Sequence, residues 1–212
     1  MMNPKSILDR KLSAETAKSH NSRLITGFYY RYMGLNNGPE GVIGYVGKGL
    51  DIGFRGYSTE EVEPVLPGCI GIDKQYSGYD GTALPFDTES QDYVFSSHTL
   101  EHIDNHHEVI REWFRVIKVG GHLVIIVPHQ YLYEKKMNLP SKWNRDHKRF
   151  YTPSSLLIDI EESLDINSYR VVHLRDNDDG FDYNIPPEKH SGGCYEIELV
   201  IKKIDKPDWK LL

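Results

Sequence analysis

Residues 83–102 read ALPFDTESQDYVFSSHTLEH, and their order decides the fold class. Leu84-Pro85-Phe86 makes a turn and an acidic loop follows. Asp92 then opens a short apolar strand, Tyr93-Val94-Phe95, which stops at Ser96-Ser97-His98 before Leu100-Glu101-His102. Upstream stand Gly49-Leu50-Asp51-Ile52-Gly53 and Gly71-Ile72-Asp73, each a few apolar residues ending in an acid or a glycine. Downstream stands Gly120-Gly121-His122-Leu123-Val124-Ile125-Ile126-Val127-Pro128. Strand candidates therefore fall at 48–52, 69–72, 93–96, 123–127, 169–174 and 196–202, several of them separated by helical patterns.

The clearest helix candidate is 105–118. Val109, Ile110, Trp113, Phe114 and Ile117 recur there on one face; Asp104 or Asn105 can cap the start, and Gly120 or Gly121 can end it. A second helix opens at Pro153, which suits the first helical turn because its missing N–H costs nothing there. Strands alternating with helices imply a parallel sheet. The last two strands flank a loop at 176–194 rich in Asp, Asn, Gly and Pro. With no helix between them they should pair antiparallel, leaving one reversed strand at the sheet edge. Asp73 and Asp80 lie too close together for a helix and a strand to fit between them, so the second crossover helix should be reduced and the third strand vestigial.

A chain of 212 residues with 39% hydrophobic and 26% charged residues suits a soluble fold with one core. Its net charge of -6 argues against a nucleic-acid partner. No apolar stretch has the length of a signal peptide or a membrane span, so a cytoplasmic protein without membrane contact is expected. Cys69 and Cys194 fit no metal spacing, and Cys69 reads as a buried thiol. Residues 1–40 read as a helical cap segment with a tyrosine cluster around Tyr30, ahead of a main domain at 41–212.

In order and spacing, these segments resemble the class I S-adenosylmethionine-dependent methyltransferases, with the nearest likeness to the small-molecule branch called methyltransferase type 11. The likeness covers about residues 47–153. It implies a Rossmann-like α/β fold that binds S-adenosylmethionine beyond the carboxyl ends of the strands. Carried over residue by residue, it places Asp51, Gly53, Arg55 and Gly56 in the glycine turn and Asp73 at the ribose. Asp80, Thr82, Ala83 and Leu84 fall at the adenine, and Ser97 and His98, after Ser96, along the amino-acid moiety. The glycine turn departs from the family pattern Asp-x-Gly-x-Gly-x-Gly. Arg55 replaces the middle glycine and Gly56 arrives one residue early. A nicotinamide dinucleotide site would need a Gly-x-Gly-x-x-Gly turn, which Gly47-Lys48-Gly49 does not continue.

Transfer to a hydroxyl needs a base, and histidine is the usual one. Of ten histidines, His129 at the end of the fifth strand and His147 are the two candidates, with His102 a further residue near the transferred methyl. Glu101 and His102 also read as a local capping and packing pair. His106 and His107 read as surface residues at a helix start and His122 as structural, while His20, His173 and His190 carry no supporting pattern.

The block Asp146-His147-Lys148-Arg149-Phe150-Tyr151-Thr152-Pro153 is similar to a segment of methyltransferases linked to glycan assembly. By that likeness Asp146 would orient His147, while Arg149 and Tyr151 would hold the acceptor; Tyr30 would join them because the N-terminal segment of the resembled methyltransferases commonly caps the substrate pocket. Asp176-Asn177-Asp178-Asp179-Gly180 lacks calcium-loop spacing and reads as a hairpin tip, so no metal is expected. The fourth strand runs into Ser-Ser-His, with no Asn- or Asp-Pro-Pro-aromatic clamp for a base amine. The acceptor expected is therefore a small hydroxyl- or phosphate-bearing molecule such as a sugar, sugar nucleotide or glycan precursor, and a homodimer is an open alternative. The competing class is a methyltransferase-like module that binds a cofactor or partner without turnover.

Overall fold

The computed structural model describes residues 47–54, 64 and 68–209. The cap segment at 1–40, Tyr30, Arg55 and Gly56 lie outside the described residues. The elements in chain order are β1 (Gly49–Ile52), β2 (Ile70–Ile72), β3 (Gln91–Ser97), α1 (His106–Val116), β4 (Ile117–Pro128), α2 (Pro153–Ser163), β5 (Tyr169–Asn177) and β6 (Glu196–Lys203). They form one six-stranded sheet of order β2-β1-β3-β4-β6-β5. The pairs β1/β2, β1/β3 and β3/β4 are parallel, and β6 runs antiparallel to both β4 and β5.

The mostly parallel sheet with one reversed strand is thus present, with a shift of place: the reversed strand sits one in from the edge, and β5 forms the edge. Burial gives the reason. Six successive residues of β6 are buried, whereas most of β5 is exposed. A strand covered on both faces and both sides reads as a continuous apolar run, and Ile197-Glu198-Leu199-Val200-Ile201 is closer to that than Arg170-Val171-Val172-His173. Residues 73–90 contain neither helix nor strand, so β2 ends the sheet on that side and the second crossover is a string of turns.

Helix α1 buries Val109, Ile110, Trp113, Phe114 and Val116 against the sheet. Trp113 is fully buried, and truncating it to Ala would cost about 3–5 kcal/mol. Neither predicted cap of α1 holds. Asn105 makes no cap hydrogen bond and instead donates to Thr82 Oγ1 at 2.7 Å. At the other end Ile117 is already extended and paired with Gln91. The Lys203 ammonium there donates to the carbonyls of Phe114 (3.2 Å) and Ile117 (2.8 Å), work a glycine cap would otherwise do. Gly120, with φ +87°, lies inside β4, near where the pairing with β3 shifts register. Helix α2 starts on Thr152 with a reciprocal Thr152–Ser155 capping box and Pro153 in the first turn.

This layering puts Ile52, Ile72, Ser97 and Pro128 along one edge of the sheet, the carboxyl ends of four parallel strands. The chain leaves β1 toward β2 on one side and returns to β3 on the other. The gap above β1 and β3 is therefore the topological switch point, where open α/β sheets bind ligands.

Candidate active site

A cavity of about 600 Å³ opens at that switch point, within the ~300–1,000 Å³ typical of ligand pockets. It has two chemically different ends.

At the glycine end, Ile52, Gly53, Asp73, Lys74, Tyr79 and Gly81 form the wall. Gly53 has φ +78°, and a Cβ there would overlap Thr99 Oγ1. Only glycine satisfies both constraints. The turn is fixed to the next strand by hydrogen bonds from Gly53 N and Phe54 N to Ile72 O, at 2.9 and 3.0 Å. Asp51 is fully buried in β1 beneath the turn and does not reach the wall. Asp73 stands at the end of β2, half-buried, with Oδ1 accepting from Lys74 N at 2.7 Å.

Asp80 lies off the wall. Its Oδ1 accepts the N–H groups of Thr82 (2.8 Å) and Ala83 (2.7 Å), which hold its carboxyl below the usual carboxylate range. Thr82 and Leu84 are likewise engaged with helix α1. Thr82 Oγ1 receives Asn105, and Leu84 N donates to Glu112 Oε1 at 2.7 Å. None of Asp80, Thr82, Ala83 and Leu84 lines the cavity, whose wall there is Tyr79 and Gly81. Ser97 is buried at the end of β3, also off the wall. His98, one residue on, faces the cavity from a left-handed conformation (φ 51°) and stands 3.5 Å from Glu196.

The other end is built by a clamp between two distant segments. Lys148 N donates to Glu101 O at 2.8 Å. The Arg149 guanidinium donates to the carbonyls of Leu100 (2.9 Å), Ile103 (2.5 Å) and Asp104 (3.2 Å). Arg149 therefore closes the carbonyl end of the short 3-10 turn Leu100–His102 and does not line the cavity. This fastening swings His147 against Glu101 and His102. Tyr151 does not reach the cavity either; it is buried, with its hydroxyl on Asp159 at 2.9 Å. Asp146 is exposed and does not orient the His147 ring.

That job falls to Glu134, whose Oε1 lies 2.8 Å from His147 Nδ1 and whose Oε2 accepts from Ser141 Oγ at 2.7 Å. Glu134 ends the π-helical turn Gln130–Glu134, and Tyr133 of the same turn lies beside the His147 ring. Glu101 is 1% exposed, with Oε1 at 3.6 Å from His102 Nε2 and 3.9 Å from His147 Nε2. Burial, then the neighbouring His147, push the His102 imidazole down to about 4, so it is neutral near pH 7. Tyr133, Asn144, His190 and Tyr195 complete this end.

His129, the other candidate base, is not on the wall. Its Nδ1 accepts from Tyr131 N (3.0 Å) and Leu132 N (3.3 Å), and its Nε2 faces Asp176 at 3.4 Å. It caps a turn and lies against the 176–180 run. In that run Asp176 and Gly180 are exposed and Asn177 is buried. Asp179 pairs with Arg175, Tyr183 donates to Asp178, and the chain folds back until Ser191 Oγ bonds Leu132 O. The return brings His190 and Tyr195 onto the cavity. Glu101, Glu134, Tyr133, Asn144, His190 and Tyr195 were not legible as site residues; their placement depends on long-range folding of three loops.

The family model described as a methyltransferase domain matches residues 59–125, from the first crossover to the middle of β4. No curated protein matches the sequence. Among solved structures, the chain is similar to a SAM-dependent methyltransferase from Aquifex aeolicus (15% identity, 97% of this chain and 100% of that one, TM-score 0.53). It is also similar to the YcgJ protein from Bacillus subtilis (14% identity, 87% and 100%, TM-score 0.52). A third likeness is to a chain of the complex that contains the Haloferax volcanii Trm112 methyltransferase activator (14% identity, 95% and 94%, TM-score 0.52). At such identities the likeness establishes the fold, which is the Rossmann-like fold of S-adenosylmethionine-dependent methyltransferases.

Proposed function

We propose that this protein is an S-adenosylmethionine-dependent methyltransferase acting on a hydroxyl or phosphate oxygen of a small polar acceptor, such as a sugar, sugar nucleotide or glycan precursor. The observation that carries this is one cavity with two ends: a glycine turn and a carboxylate at one, a carboxylate–imidazole cluster at the other. The cofactor fits the first end. Gly53, held in a left-handed turn against Thr99, brings backbone to the cavity wall, and Asp73 presents a carboxylate to a ribose diol. Once bound, S-adenosylmethionine supplies an electrophilic methyl group for an in-line displacement.

The chain's own residues then have three tasks. Gly53 and Asp73 fix the nucleoside, and His98 and Thr99 border the passage between the ends. Tyr133, His190 and Tyr195 give an aromatic wall for the C–H face of a sugar, with Asn144 for its hydroxyls. Alignment of donor and acceptor supplies a large share of the rate. The proton of an acceptor hydroxyl goes to His147 Nε2, because Glu134 holds Nδ1 and so fixes the ring's orientation and tautomer. Base catalysis of this kind contributes about 10²–10⁴-fold.

Arg149 leaves the substrate set in this reading, and Asp146 with it. The net charge of -6 disfavours nucleic acid. Cys69 and Cys194 are both buried, and among the described residues no helix is long and apolar enough to cross a membrane. The alternative, a binding module without turnover, predicts cofactor affinity with no transfer to any acceptor. Incubation with methyl-labelled S-adenosylmethionine and a panel of sugars, sugar nucleotides and phosphorylated sugars tests the choice. Label in an acceptor, abolished by His147→Ala, is the expected result; cofactor binding with no label transferred to any member would favour the module.

A further inference from the structure

We propose that Glu101, His102 and His147 bind a divalent transition-metal ion, of the zinc, cobalt or manganese type, at the acceptor end of the cavity. One carboxylate oxygen and one nitrogen from each of two imidazoles lie within 4.8 Å of one another. The separations of Glu101 Oε1 from the two imidazoles, 3.6 Å to His102 and 3.9 Å to His147, are too long for hydrogen bonds. They are close to the roughly 3.4 Å between neighbouring ligands of a tetrahedral ion with bonds of about 2.1 Å. An ion between the three atoms therefore needs only small side-chain rotations. Two imidazoles and a carboxylate favour such ions over magnesium or calcium, which prefer oxygen alone.

An independent feature points the same way. Ligating histidines donate their other ring nitrogen to a carboxylate or a carbonyl, which fixes the ring and strengthens the ligand. His147 has that support: its Nδ1 lies 2.8 Å from Glu134 Oε1, itself fastened by Ser141. Three protein ligands leave at least one position open toward the cavity, the arrangement of catalytic sites. His106, His107 and Asp159 form the second cluster with ligand-like spacing among the described residues. It lies between α1 and α2, away from the cavity, and serves as the comparison.

The role of the ion rests on the methyl-transfer reading; its binding does not. With an ion on Nε2, His147 is a ligand and no longer the base. The acceptor hydroxyl then binds the open position, where a metal lowers its pKa, and its proton leaves to water at the cavity mouth. The oxygen–methyl bond forms as the sulfur–methyl bond breaks, and the sulfonium becomes a neutral thioether.

Cobalt(II) titration of the full chain, freed of metal by chelator and read by visible absorption, tests the site. One equivalent should bind and give the d–d bands of a four- or five-coordinate nitrogen/oxygen site. His102→Ala and Glu101→Gln should each abolish the bands, Glu134→Gln should weaken binding about 10–100-fold, and His106→Ala should change nothing. Circular dichroism and S-adenosylhomocysteine titration of each variant separate loss of the ion from loss of the fold. Absent bands, bands that survive in folded His102→Ala, or bands lost in His106→Ala overturn the proposal. Bands without any S-adenosylhomocysteine binding would instead overturn the methyl-transfer reading and leave the metal site standing.

Discussion

The two ends of the cavity are made in different ways. The glycine end is local: Gly53 follows β1 directly, Asp73 follows β2 directly, and three hydrogen-bonded residues hold the turn to its neighbour. The histidine end is assembled from the 3-10 turn after β3, the π-helical turn after β4, the 141–151 segment and the chain entering β6. Sheet geometry alone positions the first. The second depends on side chains acting as fasteners, chiefly Arg149 on the carbonyls of Leu100, Ile103 and Asp104. A general cofactor site can be built on the scaffold, while a particular acceptor site has to be built on loops.

Substitutions should separate the ends. The largest effect is expected from His147→Ala, which should lower turnover about 10²–10⁴-fold while S-adenosylhomocysteine affinity stays within about twofold. Parallel loss of affinity would mean the two ends are not independent. Gly53→Ala should act the other way. It forces a side chain into a left-handed conformation and onto Thr99, and affinity for S-adenosylhomocysteine should fall at least about tenfold, from strain of roughly 1–2 kcal/mol plus the overlap. Asp73→Ala should weaken the same titration by about 1.5–3 kcal/mol, the scale of a lost charge-assisted hydrogen bond; unchanged affinity would remove Asp73 from the site.

Arg149→Ala is the sharper probe of how the histidine end is made. It should lower the melting temperature, consistent with about 1–3 kcal/mol of lost charged hydrogen bonding, and raise the acceptor KM, while leaving cofactor affinity intact. A change in KM with no change in thermal stability would return Arg149 to direct acceptor contact. His129→Ala should have the smallest effect, less than about threefold on turnover, since its nitrogens face the turn at 131–132 and Asp176.

Much of the fold was legible because it is written in short-range patterns. All six strands and both helices fall where apolar runs and 3.6-residue periodicity put them, and the short Asp73–Asp80 spacing correctly removed the second crossover helix. The place of the reversed strand was not, because antiparallel pairing follows from a loop, whereas insertion beside β4 depends on which of the last two strands is better buried. The cap of α1 was missed for a related reason: Lys203, 87 positions beyond Val116, does the work expected of a nearby glycine.

At the site, the strand-end residues Gly53, Asp73 and His98 line the cavity, and His147 joins them. Asp80, Thr82 and Leu84 have their polar groups spent on the loop's own turn or on α1. His190 carried no local pattern at all; it reaches the cavity because the 178–195 connection folds back onto the turn after β4. Spacing in sequence cannot reveal a partner 59 residues away, such as Ser191 for Leu132.

Calorimetric titration of the full chain with S-adenosylmethionine and, separately, S-adenosylhomocysteine tests most directly whether the switch-point cavity is a cofactor site. Micromolar binding of both at one site, weakened by Asp73→Ala and indifferent to His147→Ala, is the predicted result. No binding of either ligand to the folded protein would contradict the account.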